Sequence, residues 1–152
     1  MEIFFDVDYT ILGLDGSLRP WTRDVFEWLV GEGHRIHIWS GHGIRSAEIE
    51  QHGLEHLVTG YYHKPLANHH ESLEGLGVPL VPDFTVDDTP EVAAAFGGVW
   101  VAAYAAGTPS DYLPREHDRE MLRVYEVVRE YLSTGTSRDP RFYAKGSKAR
   151  HA

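Results

Sequence analysis

Residues 3–5 read Ile-Phe-Phe, and this run ends in two carboxylates, Asp6 and Asp8, separated by Val7. A continuous apolar run suits a strand buried on both faces, and such strands belong to parallel sheets covered by helices. Open α/β sheets take their ligands just beyond the carboxyl ends of the strands. Two carboxylates at one strand tip repel each other unless a cation or a shared proton relieves them. The N-terminal eight residues therefore call for a helix-covered parallel sheet with a metal site, acid/base chemistry, or both at its edge.

The rest of the chain repeats the pattern. Strands are predicted at Glu2–Val7, Arg35–Ser40, near Leu57–Tyr61, at Asp83–Val86 and at Gly98–Ala102. In the second of these Ile36 and Ile38 alternate with His37 and Trp39, which leaves one face partly covered. Helices are predicted at Pro20–Gly31, from Gly43 to His52, at Pro65–Leu76 and at Pro90–Phe96. Val25, Phe26, Leu29 and Val30 recur at helical spacing in the first, and Gly31 and Gly33 end it. Pro90 suits a first helical position, with Asp88 or Thr89 as cap. Strand and helix in alternation mean a parallel sheet with right-handed crossovers. The fold class is α/β, a Rossmann-like three-layer sandwich around a mainly parallel five-stranded sheet. Pro109 and Pro114 bracket a loop, and a helix follows over Arg115–Leu132, striped by Met121, Leu122, Tyr125, Val128 and Leu132. One domain spans 1–132. Residues 133–152 carry five Lys or Arg against one Asp and read as a flexible basic tail.

With 14 basic and 23 acidic residues the net charge is −9. That counts against general nucleic-acid binding, which needs a positive field. The chain has no Cys, which excludes disulfides and thiolate metal sites. No apolar run is long enough to span a bilayer, and the N-terminus lacks the basic flank of a signal peptide. The expectation is a soluble, cytoplasmic protein that does not bind membranes.

Each predicted strand tip carries a particular polar group: Asp6 and Asp8 after the first, Ser40-Gly41 after the second, Lys64-Pro65 after the third and Asp87-Asp88 after the fourth. In this order, the chain resembles the haloacid dehalogenase-like superfamily of phosphohydrolases over residues 1–103. Its first motif, Asp-x-Asp-x-Thr after an apolar strand, is matched by Asp6, Asp8 and Thr10. Its later motifs are matched by Ser40, by Lys64-Pro65 and by Asp87-Asp88. Tyr9 and Val86 stand where Gly is common in the family.

The resemblance implies a phosphomonoester phosphatase. Asp6 would be the nucleophile, dividing a slow hydrolysis into two transfers through an acyl phosphate. Asp8 would protonate the leaving oxygen and then activate water. A dehalogenase has no such leaving oxygen, so the second Asp favours phosphoryl transfer. Oxygen-only ligands suit Mg²⁺, held by Asp6, the Asp8 backbone carbonyl, Asp87 and Asp88, the last directly or through a water. Lys64 would add fixed positive charge. Ser40 and the amides of Gly41 and His42, at a helix N-terminus, would hold the phosphoryl oxygens. Thr10 belongs to the same substrate-binding group and would orient Asp6 or Asp8.

His42 and His63 flank these motifs, within reach of substrate. His69 and His70 lack the spacing of a helical zinc motif, and Trp21 and Trp39 read as packing residues. Neither Leu12–Arg19 nor the stretch from Ser40 to Lys64 has room for a cap domain, so the chain resembles a capless member. An open site admits a large phosphorylated substrate, unless a second copy of the chain or its own C-terminal segment covers it. Two alternatives stay open: a non-catalytic phosphate- or partner-binding module, and a nucleotide or nucleic-acid-end phosphatase that uses the basic tail as a tether.

Overall fold

The computed structural model describes residues 1–111 and 114–150. Within the predicted loop between Pro109 and Pro114, Tyr112 and Leu113 lie outside the described residues, as do His151 and Ala152 of the tail. Six strands, β1 (Glu2–Phe5), β2 (Arg35–Ser40), β3 (Val58–His63), β4 (Phe84–Asp87), β5 (Gly98–Trp100) and β6 (Phe142–Tyr143), form one sheet in the order β3-β2-β1-β4-β5-β6. All neighbours are parallel except β5 and β6. The chain steps from β1 outward to β2 and β3, then returns to the other side of β1 as β4. The reversal opens a crevice beyond the β1 and β4 tips, where open α/β sheets place ligands.

Side-chain alternation along the strands sorts the core into two faces. Ile3, Ile36 and Phe84 stand side by side, as do Phe5, Ile38 and Val86. They pack with Val25, Phe26 and Leu29 of α1 (Thr22–Gly31), Ile49 of α2 (Ser46–Gln51) and Met121, Val124 and Val128 of α5 (Glu120–Thr134). Phe4 and Trp39 face the other way, onto Leu73 of α3 (Ser72–Gly75) and Val92 and Phe96 of α4 (Pro90–Phe96). Phe4, Phe5 and Phe26 are fully buried, and each such ring contributes about 1.5–3 kcal/mol. Truncating Phe5 to Ala would cost about 3–5 kcal/mol. His37 and Trp39 are buried as well, so β2 is covered on both faces, contrary to the alternation expected of it. Phe4 stacks on the His37 ring at 4.6 Å and accounts for the burial of that imidazole.

Several elements depart from their sequence boundaries for local reasons. Trp21 has φ 70°, a left-handed conformation that cannot continue a helix, so α1 begins at Thr22 and not at Pro20. Gly33, at φ 91°, ends that region as expected, with its N–H on the Val30 carbonyl. The helix predicted over Pro65–Leu76 shrinks to α3. Asn68 is left-handed at φ 46°, and the Ser72 hydroxyl takes the Ala67 carbonyl. Arg115–His117 forms a separate 3₁₀ turn, and Asp118 turns extended and accepts the Glu120 N–H, which starts α5.

Over its described residues the basic tail, expected as a flexible terminus, joins the sheet. After α5 ends at Thr134, residues 135–150 fold back, and β6 becomes the sixth strand, with Phe142 and Tyr143 buried. Three of its five cations are engaged: Arg138 pairs with Glu130, Arg141 lies over the Trp100 ring and Arg150 over Tyr143. Between Ser40 and Lys64 the chain holds only α2, a 3₁₀ turn at Glu55–Leu57 and β3. No helix among the described residues is long and apolar enough to cross a membrane.

Candidate active site

Asp6 follows β1, and its N–H donates to the Val86 carbonyl of β4 at 3.0 Å, so the carboxylate sits over the sheet crevice. The next turn is tight. The amides of Thr10, Ile11 and Leu12 all point to the Val7 carbonyl within 3.1 Å. Tyr9, at the apex, has φ 63°. A bulky residue there bears a backbone cost of about 1–3 kcal/mol, which gives a physical reason for glycine to be favoured at such a turn.

Lys64 brings the distant acids together. Its N–H donates to the Ser40 carbonyl at 3.0 Å, which places it at the β2–β3 edge of the crevice. Its Nζ reaches Asp6 Oδ1 at 3.0 Å and Asp87 Oδ2 at 3.1 Å. The Thr10 hydroxyl donates to Asp6 Oδ2 at 2.9 Å and accepts the Asp88 N–H at 3.1 Å. Asp87 Oδ1 accepts the Thr89 N–H at 2.8 Å. One carboxylate oxygen from each of Asp6, Asp87 and Asp88 lies within 4.8 Å of the others, a cluster able to hold a metal ion.

The electrostatics follow from burial. Asp87 is wholly buried, and the lost hydration, with Asp6 beside it, holds its carboxyl well above the usual range despite Lys64. Burial and then the adjoining Asp6 push Asp88 up to about 7. Burial disfavours the charged Lys64 ammonium, but Asp87 and Asp6 outweigh that and raise its pKa. Without a metal the cluster relieves its repulsion by binding protons.

Asp8 stands apart from that cluster. Its Oδ2 accepts from Arg45 Nη1 at 2.6 Å. Thr10, expected among the substrate-binding groups, is fully buried with its hydroxyl engaged by Asp6 and Asp88, so it orients Asp6 and does not face the cleft. Ser40 is buried at the β2 tip, and its Oγ accepts the His42 amide at 3.0 Å. The helix expected from Gly43 begins only at Ser46. The Gly41 and His42 amides therefore belong to a turn and not to a helix N-terminus. A cleft of about 260 Å³ lies over these groups, lined by Asp6, Asp8, Ser40, Gly41, His42 and Lys64 among others. His63 borders a neighbouring cleft, and His69 and His70 pack on Phe96. Trp39 is core, as expected, while Trp21 is part-exposed beside Trp28.

Three residues at the site went unnoticed in the sequence. Arg45 pairs with Asp8. Arg19 is almost completely buried: its Nη1 donates to the Thr10 carbonyl at 3.0 Å, its Nη2 to the Ala102 carbonyl at 2.6 Å and its Nε to Asp118 at 3.0 Å. It pins the Asp6–Thr10 turn to the chain after β5. Trp100 Nε1 donates to the Asp88 carbonyl at 3.1 Å. The one sequence signal was positional, a cation a few residues beyond the strand tip for Arg45. No protein-family model, curated protein or solved structure matches the chain.

Proposed function

We propose that the protein is a Mg²⁺-dependent phosphomonoester phosphatase of the capless haloacid dehalogenase-like kind, working through a phosphorylated Asp6. The observation that carries the reading is Lys64, which joins Asp6 and Asp87 within 3.1 Å although the two acids stand at the ends of different strands. The donor set fits a hard divalent cation: three carboxylates, all oxygen, with Asp87 otherwise buried as an expensive charge. Asp6, Asp87 and Asp88 would hold Mg²⁺, together with the Asp8 backbone carbonyl that the family resemblance implies. When bound, Mg²⁺ offsets the repulsion between a carboxylate and a phosphate dianion.

The chain's own groups divide the work. An Asp6 oxygen bonds to phosphorus as the bond from phosphorus to the alcohol oxygen breaks, and the leaving oxygen takes a proton from Asp8. Asp8, now a carboxylate, removes a proton from water as that water attacks the aspartyl phosphate, releasing inorganic phosphate and restoring Asp6. Lys64 offsets charge on the nucleophile and the phosphoryl oxygens. The Ser40 hydroxyl and the Gly41 turn border the cleft in which those oxygens would sit. Thr10 holds Asp6 in one orientation.

The nucleic-acid-end reading loses its motive, because three of the five tail cations are engaged within the fold. The test is hydrolysis of 4-nitrophenyl phosphate with Mg²⁺ and with EDTA, in wild type and Asp6→Asn. Turnover that needs Mg²⁺ and falls by about 10³-fold or more in Asp6→Asn is expected. Equal turnover in the two proteins rejects the assignment, and tight phosphate binding without turnover would support a non-catalytic module.

A further inference from the structure

Beside Asp8 the reaction cleft adjoins a second one, of about 390 Å³, lined by Tyr9, Gly13, Leu14, His42 and Arg45 as well as Asp8. Asp8, Tyr9 and His42 border both. Arg45 borders the second cleft, and its guanidinium grips Asp8. Nη1 donates to Asp8 Oδ2 at 2.6 Å and lies 3.4 Å from Ser40 Oγ, while Nε donates to Glu48. The Asp8 side chain is 33% exposed, so packing alone does not select its rotamer. Among the described residues no other side chain pairs with it. The planar guanidinium, itself held by Glu48, immobilises one carboxylate oxygen and leaves Oδ1 for proton transfer.

Resting on the phosphatase reading, we infer that Arg45 is a positioning residue for Asp8, and that the alcohol departs into the second cleft. Proton donation matters most when the alcohol would otherwise leave as a strongly basic alkoxide. It matters least when the leaving group is a stable anion such as nitrophenolate. An error in Asp8 orientation therefore damages alkyl substrates selectively. A purely structural role for Arg45 would damage both classes alike.

The experiment compares kcat/KM for glycerol 2-phosphate and 4-nitrophenyl phosphate, both with Mg²⁺, in wild type, Arg45→Gln, Arg45→Lys and Glu48→Gln. This constant reports the steps up to departure of the alcohol, and the ratio of the two substrates cancels losses in folding and phosphoryl binding. Arg45→Gln should lower the alkyl-to-aryl ratio by about 10- to 100-fold. Arg45→Lys should restore part of it, and Glu48→Gln should shift it in the same direction by a smaller factor. Equal loss on both substrates in Arg45→Gln overturns the inference. Should that variant not fold, an unchanged ratio in both Arg45→Lys and Glu48→Gln does so. An Asp6→Asn control that keeps wild-type turnover instead rejects the phosphatase reading itself.

Discussion

Lys64→Met removes the ammonium that joins the site carboxylates while keeping the length of the stem. The Lys64 Nζ lies 3.0 Å from Asp6 and 3.1 Å from Asp87. At an effective dielectric constant of about 20, each contact has a gross Coulomb energy of about 5 kcal/mol. Desolvation of the buried ammonium and proton uptake by the acids offset much of this. A loss of about 3–5 kcal/mol remains, as expected when one partner of a buried ion pair is removed. For a domain of this size that lowers Tm by about 10 °C. The pH dependence tests the cause. Lys64, raised above its ordinary 10.5, stays charged across the whole working range, so its own titration does not enter. Asp87 and Asp88 have raised pKa values in the fold, so their contribution to stability is full below the ordinary carboxyl value and lost as pH rises through the folded one. Removing Lys64 raises them further, and protons then replace the missing ammonium in acid. Thermal unfolding in EDTA should show the full deficit at pH 8 and about half of it at pH 5. A deficit below about 2 °C at pH 8, or one that is equal at the two pH values, refutes the reasoning.

Three further outcomes follow from the same contacts. If the carboxylate cluster takes Mg²⁺ as proposed, the ion has to displace the proton that Asp88 holds up to about 7, so apparent Mg²⁺ affinity should fall about tenfold per pH unit below 7 and level off above 8; calorimetric titration from pH 5.5 to 8.5 checks this, and a flat profile contradicts it. Arg19→Met leaves the Thr10 and Ala102 carbonyls without this donor and Asp118 without its cation, with the Glu120 N–H still on it; urea unfolding should show a loss of about 3–5 kcal/mol, and a loss under about 1 kcal/mol would show that Arg19 does not clamp the turn. A Cβ on Gly98, which has φ 150°, would lie 2.0 Å from the Thr85 carbonyl oxygen in β4, so Gly98→Ala should destabilise by more than about 3 kcal/mol, whereas Gly16→Ala, with open space around it, should cost about 1 kcal/mol.

The parallel sheet and its loaded tips were legible because both are local patterns. Ile3-Phe4-Phe5 announces a strand buried on two faces, and alternation with amphipathic helices fixes the parallel sense. The polar tips stand out because a charge that interrupts an apolar run has a position set by that run. The tail misled for the same reason. Its composition is that of a solvated terminus, and only its place beside β5 brings Phe142 onto Phe84 and Tyr131, and Tyr143 onto Ala93 and Ala94. The short α3 is another case, since Asn68 adopts a left-handed conformation that helical spacing does not reveal.

By itself the chain determined which residue types stand at which strand ends, because hydrophobic periodicity and strand termination act over a few neighbours. Only the tertiary structure decided how those ends are wired. That Thr10 serves Asp6, that Arg45 and not the carboxylate cluster grips Asp8, and that a buried Arg19 locks the turn are contacts between segments about 4 to 100 positions apart. The longer of them exist because the sheet order brings distant segments to one crevice, and electrostatics at 3 Å separations depends on that placement and not on composition.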